Sequence, residues 1–425
     1  MKLFKSVFLI SIFGILIYTP TYSQKKLKTA AELKKAKTYR SVEEATLNKR
    51  RVYILNLDGH QLTEIPDVVF KLKNLQELYL RNNKIDSLPD ELWALTNLQK
   101  LMLGENLLNS IPCKIENLQN LEEIDLFSNQ LTQLPPETGN LKKLRKIDLN
   151  WNHLDSLPGS IGNLTNLEVL LLERNKLKEL PNSIGNLIHL KEINLFDNQL
   201  VKLPESFGNL KGIKELNLSK NNLSEIPQSI SGMNGLASLN LSQNKLTRLP
   251  GLSGMTILEK LDVSNNKLKS INQQSLKLEK LVELNLSINQ ISTLSISNNE
   301  LPQLEKLDLE LNRITTIPPG VFNLNNLKYL NLSRNRIERV ENAIGNLKNL
   351  KQLYLNDNKI YSVSKYIGNL SNLEYIDLSN NKIRLLQREI GGMKSLKEMH
   401  LEYNDFSQFQ RNLVKKYLVG PKIYF

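Results

Sequence analysis

From Val52 onward, apolar and polar residues follow one recurring figure, L-x-x-L-x-L-x-x-N-x-L, with Val or Ile in place of some leucines. It begins at Val52, Leu75, Leu98, Leu121, Leu144, Leu167, Leu190, Ile213, Leu236, Leu258, Leu281, Leu304, Leu327, Leu350, Leu373 and Leu396. The step is 23 residues, except for one of 22 between Leu236 and Leu258, which makes sixteen units. The period of two in L-x-L predicts a short strand with its leucines inward and the residues between them outward. The asparagine then turns the chain, because its amide both donates and accepts and can satisfy backbone groups that a bend leaves unpaired. Asparagine holds this place from Asn83 to Asn404; only the first unit departs, with His60, as a terminal repeat is expected to do.

The second half of each early unit reads LPxSIGNLxNL. Proline, as at Pro158, Pro181 and Pro204, fixes the backbone after the turn, and Gly162-Asn163 and Gly185-Asn186 suit a tight return loop. Short helical or 3-10 turns are expected on the convex side. No unit buries its apolar edge alone, so the units must stack as a solenoid. In repeats 10 to 12, GLSGMTILEK and SISNNELPQL replace this pattern beside the one-residue deletion. A local change of curvature is the expected consequence, with a hinge or lateral contact site as the alternative.

With this figure the chain resembles the leucine-rich repeat superfamily, and its convex segments are similar to the 23-residue class of plant intracellular Ras-group proteins and of many bacterial exported proteins. The resemblance spans residues 52–409. It implies an α/β solenoid, a horseshoe or arc with a parallel β-sheet on the concave face and short helical or 3-10 turns on the convex face. Sixteen strands about 4.8 Å apart would give an arc on the order of 70 Å. The superfamily is a set of binding scaffolds with unrelated partners, so the resemblance names no ligand.

The flanks carry other signals. Residues 1–23 hold two lysines, an apolar core that ends before Pro20, and the small residues Thr21-x-Ser23, a signal-peptide pattern with cleavage after Ser23. The core is short for a retained anchor, so no stable transmembrane anchor is expected after cleavage. The implied location is secreted, or periplasmic or outer-surface associated in a bacterium. Residues 24–51 form a basic N-terminal segment and cap; Tyr39 to Arg51 predicts a helix started near Ser41, where Ser41-x-x-Glu44 is a capping-box pattern. This stretch resembles the N-terminal caps of bacterial leucine-rich repeat proteins. Residues 410–425 read as a C-terminal cap, a helix followed by Gly420-Pro421 and an apolar end, Ile423-Tyr424-Phe425, tucked over the last repeat.

Charge and chemistry narrow the function. Of the net +13, residues 1–23 carry +2 and residues 24–51 carry +7, which leaves +4 for the array. No nucleic-acid footprint is expected from so balanced a body. Cys113, the single cysteine, reads as semi-buried near a turn and excludes an internal disulfide or a multi-thiolate zinc site. His60, His153, His189 and His400 are dispersed, and G-x-S-x-G, H-E-x-x-H and phosphate-binding glycine loops are absent. No catalytic residue, cofactor or metal is assigned. The N-x-S triplets at Asn217, Asn222, Asn240, Asn285 and Asn331 read as by-products of the repeat figure LNLS rather than as glycan acceptors.

The candidate site lies on outward strand positions. Repeats 2 to 7 place Tyr79, Met102, Phe127, Trp151, Leu171 and Phe196 there, whereas the middle repeats carry small polar residues such as Asn217, Ser219, Asn240, Ser242, Asp262, Ser264, Asn285 and Ser287. Large rings on a rigid face suit a protein or peptide ligand; the alternative is that they lean over neighbouring leucines and seal the sheet. Glu123, Asp125, Lys146, Asp148 and Arg174 would add specificity. Asp125 and Asp148 share one outward column, a like-charge pair that Lys146 could relieve; without an oxygen-rich loop they do not make a calcium site. The leading reading is a non-catalytic protein-binding scaffold. A self-assembling surface protein and a carbohydrate-binding module remain open, as does the oligomeric state.

Overall fold

The computed structural model describes residues 27–271, 276–297 and 300–425, so the segment read as a signal peptide lies outside the described residues. Each unit contributes a three-residue strand, such as Glu77–Tyr79, Lys100–Met102 and Glu123–Asp125, whose central residue is a buried leucine or isoleucine, or Met399 in the last unit. Neighbouring strands are parallel and pair unit position with unit position: Tyr79 faces Met102, Met102 faces Asp125, and Asp125 faces Asp148. The main sheet has 18 strands rather than the sixteen of the repeats, because both flanks add one.

Asparagine secures each bend. Nδ2 of Asn129 donates to the carbonyls of Leu103 (3.0 Å) and Leu126 (3.2 Å), while its Oδ1 accepts from the Leu108 N–H (3.0 Å). One side chain thereby ties two units together in a buried place, where an unmade bond is expensive. A second asparagine ladder runs along the return segment: Asn97, Asn120 and Asn166 each donate at 2.8 Å to a backbone carbonyl of the preceding unit.

The convex side is made of five-residue 3-10 turns, among them Gly159–Asn163, Asn182–Asn186 and Glu205–Asn209, each entered from an extended proline. The glycine in these turns serves close packing rather than a tight loop. A Cβ on Gly162 would collide with the Ser183 carbonyl oxygen, and one on Gly185 with that of Ser206. Where Ser364 stands in place of proline, its N–H has a partner. The Ser364 N–H donates to the Val340 carbonyl (3.1 Å), beside an extra parallel pair of Arg339–Val340 with Ser362–Val363. A second such pair, Ser270–Ile271 with Thr293–Leu294, falls in the irregular repeats.

One apolar core runs from Tyr39 to Leu418. Each fully buried leucine contributes about 1.5–3 kcal/mol, and stacking supplies the walls no single unit has.

The N-terminal flank differs from the sequence reading. At the N-terminus Thr38–Tyr39 is a strand, parallel to Ile54–Leu55, and the helix covers only Val42–Leu47 instead of reaching Arg51. Ser41 Oγ accepts the Glu44 N–H (3.1 Å), but the Glu44 carboxylate takes the Arg40 N–H (3.3 Å), so the capping box is not reciprocal. A complete one closes a preceding helix, Ala30–Leu33, between Thr29 and Glu32. His60 ties cap to array, with its ring nitrogens 3.0 Å from the Asp58 and Arg40 carbonyl oxygens. At the C-terminus a helix, Gln408–Tyr417, caps the core. The tail Lys422–Tyr424 then packs on the last repeat as a further strand, parallel to Glu398–His400, with Ile423 and Phe425 against the core. Its last residue, Phe425, meets Phe406 edge-to-face at 5.8 Å.

Candidate binding surface on the concave sheet

The sequence-predicted residues occupy four different columns. Tyr79, Met102, Asp125, Asp148 and Leu171 lie in one strand register, and Glu123 and Lys146 lie in another. Phe127 and Phe196 follow the strands. Trp151 and Arg174 sit one place further on, directly before the ladder asparagine, in a column with left-handed backbone: φ is 57° at Trp151 and 53° at Arg174. Bulky residues avoid that region, which costs roughly 1–2 kcal/mol outside glycine. Most of the column is Asn, Asp, Glu, Gln, Ser, Lys or Arg; Trp151, Ile288, Leu311 and Tyr403 break the pattern.

Some of these residues meet. Phe127 and Trp151 make an edge-to-face pair with centroids 6.4 Å apart, and the Arg174 guanidinium lies 4.0 Å over the indole. Arg174 also reaches Glu173 (3.8 Å) and Asp197 (3.6 Å), and Lys220 reaches Asp197 (4.0 Å) and covers the Phe196 ring at 4.9 Å. A row of ring, cation and carboxylate thus follows one margin of the sheet. Trp151 remains 46% exposed within it.

Others do not. Met102 is only 4% exposed and offers a partner almost nothing. Tyr79 lies apart, its hydroxyl donating to Glu77 (2.9 Å); burial first, then that bond, pushes its pKa up. Asp125, 5% exposed, is held by Arg81, two units away, and not by Lys146. The reach passes Gly104, where a Cβ would press on the Asp125 carboxylate at 3.0 Å. Lys146 instead pairs with Glu123 at 3.3 Å. Asp148 keeps a raised pKa because burial disfavours its charge and Asp125 repels it, against a bond from the Asn150 N–H. Cys113 is exposed at the start of a convex turn, contrary to the semi-buried expectation.

The polar middle is self-satisfied. Asn217 Oδ1 accepts both the N–H (3.1 Å) and the hydroxyl (2.6 Å) of Ser219, and Asn285 does the same for Ser287 (3.0 and 2.7 Å). These N-x-S triplets have a structural use inside the fold.

Sequence reasoning missed a second aromatic group. Tyr329, Tyr354, Tyr375, His400 and Tyr424 form an unbroken ladder with centroid separations of 5.4, 5.0, 5.5 and 4.6 Å. The first four alternate between two outward columns, since Tyr329 lies opposite Gln352 while Tyr354 lies opposite Asn331; diagonal neighbours of this length touch. His400 and Tyr424 are directly opposite. Reading the two columns together would have exposed the series. Burial, then nearby carboxylates, pushes Tyr329 and Tyr375 up to about 12, so their hydroxyls stay protonated.

Comparison with known proteins is consistent with this architecture. Family models described as leucine-rich repeat region match residues 47–155 and 182–317, and others described as leucine rich repeat match 302–360, 363–406 and 166–187. The comparison with curated proteins returned no match. Among solved structures, the chain is similar to a leucine-rich repeat protein of Leptospira interrogans, with 36% identity, a TM-score of 0.75, and coverage of 92% of this chain and 100% of that one. It is similar at 30% identity and TM-score 0.50 to a plant peptide hormone receptor, RGFR1, solved in complex with RGF2, covering 79% of this chain and 68% of that one. A chain of the Drosophila Toll–Spatzle complex matches at 26% identity and TM-score 0.69, over 84% of this chain and 51% of the other.

Proposed function

The chain belongs to the leucine-rich repeat family, and on that premise we propose that it is an exported, non-catalytic scaffold that grips a protein or peptide on the concave face of repeats 2 to 7. The observation that carries this reading is Trp151. A tryptophan held at φ 57° and left 46% exposed gains little from folding, so its place is better explained by what it meets outside the chain. Phe127 and Arg174 fix the ring in one orientation, which lowers the ordering cost on binding. Two similar structures are themselves complexes, one of a peptide hormone receptor and one of Toll with Spatzle, which supports a polypeptide ligand.

Export rests on the pattern of residues 1–23. Among the described residues no helix is long and apolar enough to cross a membrane. N-terminal sequencing of the native protein should begin at Gln24; a chain retaining Met1 would refute processing. For the binding site, residues 24–425 and a Trp151→Ala, Phe196→Ala variant would be cross-linked in envelope and culture fractions. Partners cross-linked to the concave face should be lost with the variant, and equal capture by both would refute the assigned surface.

A further inference from the structure

The tyrosine ladder lies beyond the proposed site, at the other end of the sheet, and its surroundings differ in charge. Asp308, Glu310, Asp357, Asp377, Glu398 and Glu402 stand in its columns or just after the strands, with Lys306, Arg334 and Lys422; just before the strands Lys328, Lys351 and Lys397 are held by Glu305 and Glu374. Arg334 is engaged with Glu310 (3.6 Å) and Asp357 (4.0 Å), and Lys306 lies 5.4 Å over Tyr329, closing that end of the ladder. Lys422 is opposite Glu398 in register without forming an ion pair. Among the described residues, Asp377, Glu398 and Glu402 have no lysine or arginine partner. Asp377 accepts from Ser379 (2.9 and 2.6 Å), while Glu398 and Glu402 both reach His400 (2.9 and 3.2 Å). The second Glu402 carboxylate oxygen is buried without a hydrogen bond.

The ring faces are occupied by one another, at interplanar angles of 14° to 44°, which disfavours sugar stacking and leaves ring edges, hydroxyls and carboxylates toward the concave side. We propose that this ladder docks an extended segment of another protein bearing lysine or arginine. Its cationic heads sit among Asp377, Glu398 and Glu402, and its methylene stems lie along the ring edges. The array from Val52 onward carries only +4 of the chain's +13, so it sets up no broad repulsion of a cationic ligand and this local acidic face can attract one.

The test uses residues 24–425 and a fluorescent peptide of about eight residues alternating lysine and alanine, long enough to span the five rings. Anisotropy should show saturable binding that weakens with salt, falls about tenfold or more in Glu398→Gln, Glu402→Gln and in Tyr375→Ala, and survives Trp151→Asn. The same peptide with glutamate for lysine should not bind. Unchanged urea midpoints for the Glu→Gln variant, which keeps side-chain shape, would separate lost binding from lost folding. Absence of saturable binding, or equal binding by the Glu→Gln variant, overturns the proposal. Light scattering that shows dimers lost in that variant overturns it too, since the occupant would then be a second copy offering its basic residues 24–51.

Discussion

The two ends of the concave sheet share one strand register and use their carboxylates differently. In repeats 2 to 7, Glu77, Glu123, Asp125, Glu173 and Asp197 have a lysine or arginine of the same chain within ion-pair distance, while among the described residues Asp148 and Glu192 do not. In the last repeats, Asp377, Glu398 and Glu402 meet hydroxyl, backbone or imidazole groups instead. Exposed pairs contribute little to stability, so the contrast bears on recognition. A surface with most of its carboxylates paired presents its apolar parts, Trp151 above all, whereas one whose carboxylates lack a lysine or arginine presents charge. One frame thus carries two chemistries, because the outward columns are free to vary while the inward ones are not.

The comparison breaks first at the frame. Asn152→Ala and Asn381→Ala should each lower stability by about 2–4 kcal/mol, since the buried Leu131 and Ile360 N–H groups lose their acceptors. Urea titration followed by circular dichroism checks this; a large loss at one end alone would show that the ends do not share a skeleton. On the convex side, Gly162→Ala should cost about 1–3 kcal/mol by collision with Ser183, whereas Gly159→Ala, with nothing within 4 Å of its Cβ, should be nearly silent. Equal midpoints for the two would contradict the close-packing role.

Smaller effects sharpen the contrast between surfaces. Trp151→Asn should leave stability within about 1 kcal/mol, because relief at a left-handed position offsets the lost contacts with Phe127 and Arg174, yet abolish partner capture. A large stability loss would make this tryptophan a structural residue. At the other end His400 gives the mildest effect. Burial lowers its pKa, but bonds to Glu398 and Glu402 raise it by more, so the folded value lies above the ordinary one. The stabilisation is therefore full below about pH 6.5 and lost as pH rises through the folded value. Thermal midpoints across that window should fall in the parent and stay flatter in His400→Gln; parallel curves would remove His400 from the pH response.

What each level decided follows from the range of the forces involved. Strand, bend and stacking were legible in the sequence because an inward leucine and a ladder asparagine act at a fixed spacing within one unit or its neighbour. The caps were legible in kind but not in extent. A two-residue strand such as Thr38–Tyr39 has no period to read, and the tail's pairing with Glu398–His400 is decided by an open sheet edge. The left-handed column was not read from the sequence, and Trp151 counted as a simple surface ring until its backbone was seen.

The sequence determined that this protein is a repeat solenoid and named the residues that hold each turn. Only tertiary structure decided which outward residues meet: Arg81 with Asp125 across Gly104, Arg174 on Trp151, and five rings in one ladder. Those contacts join residues 21 to 44 positions apart, and they depend on register and on the diagonal between columns, which a linear pattern does not contain.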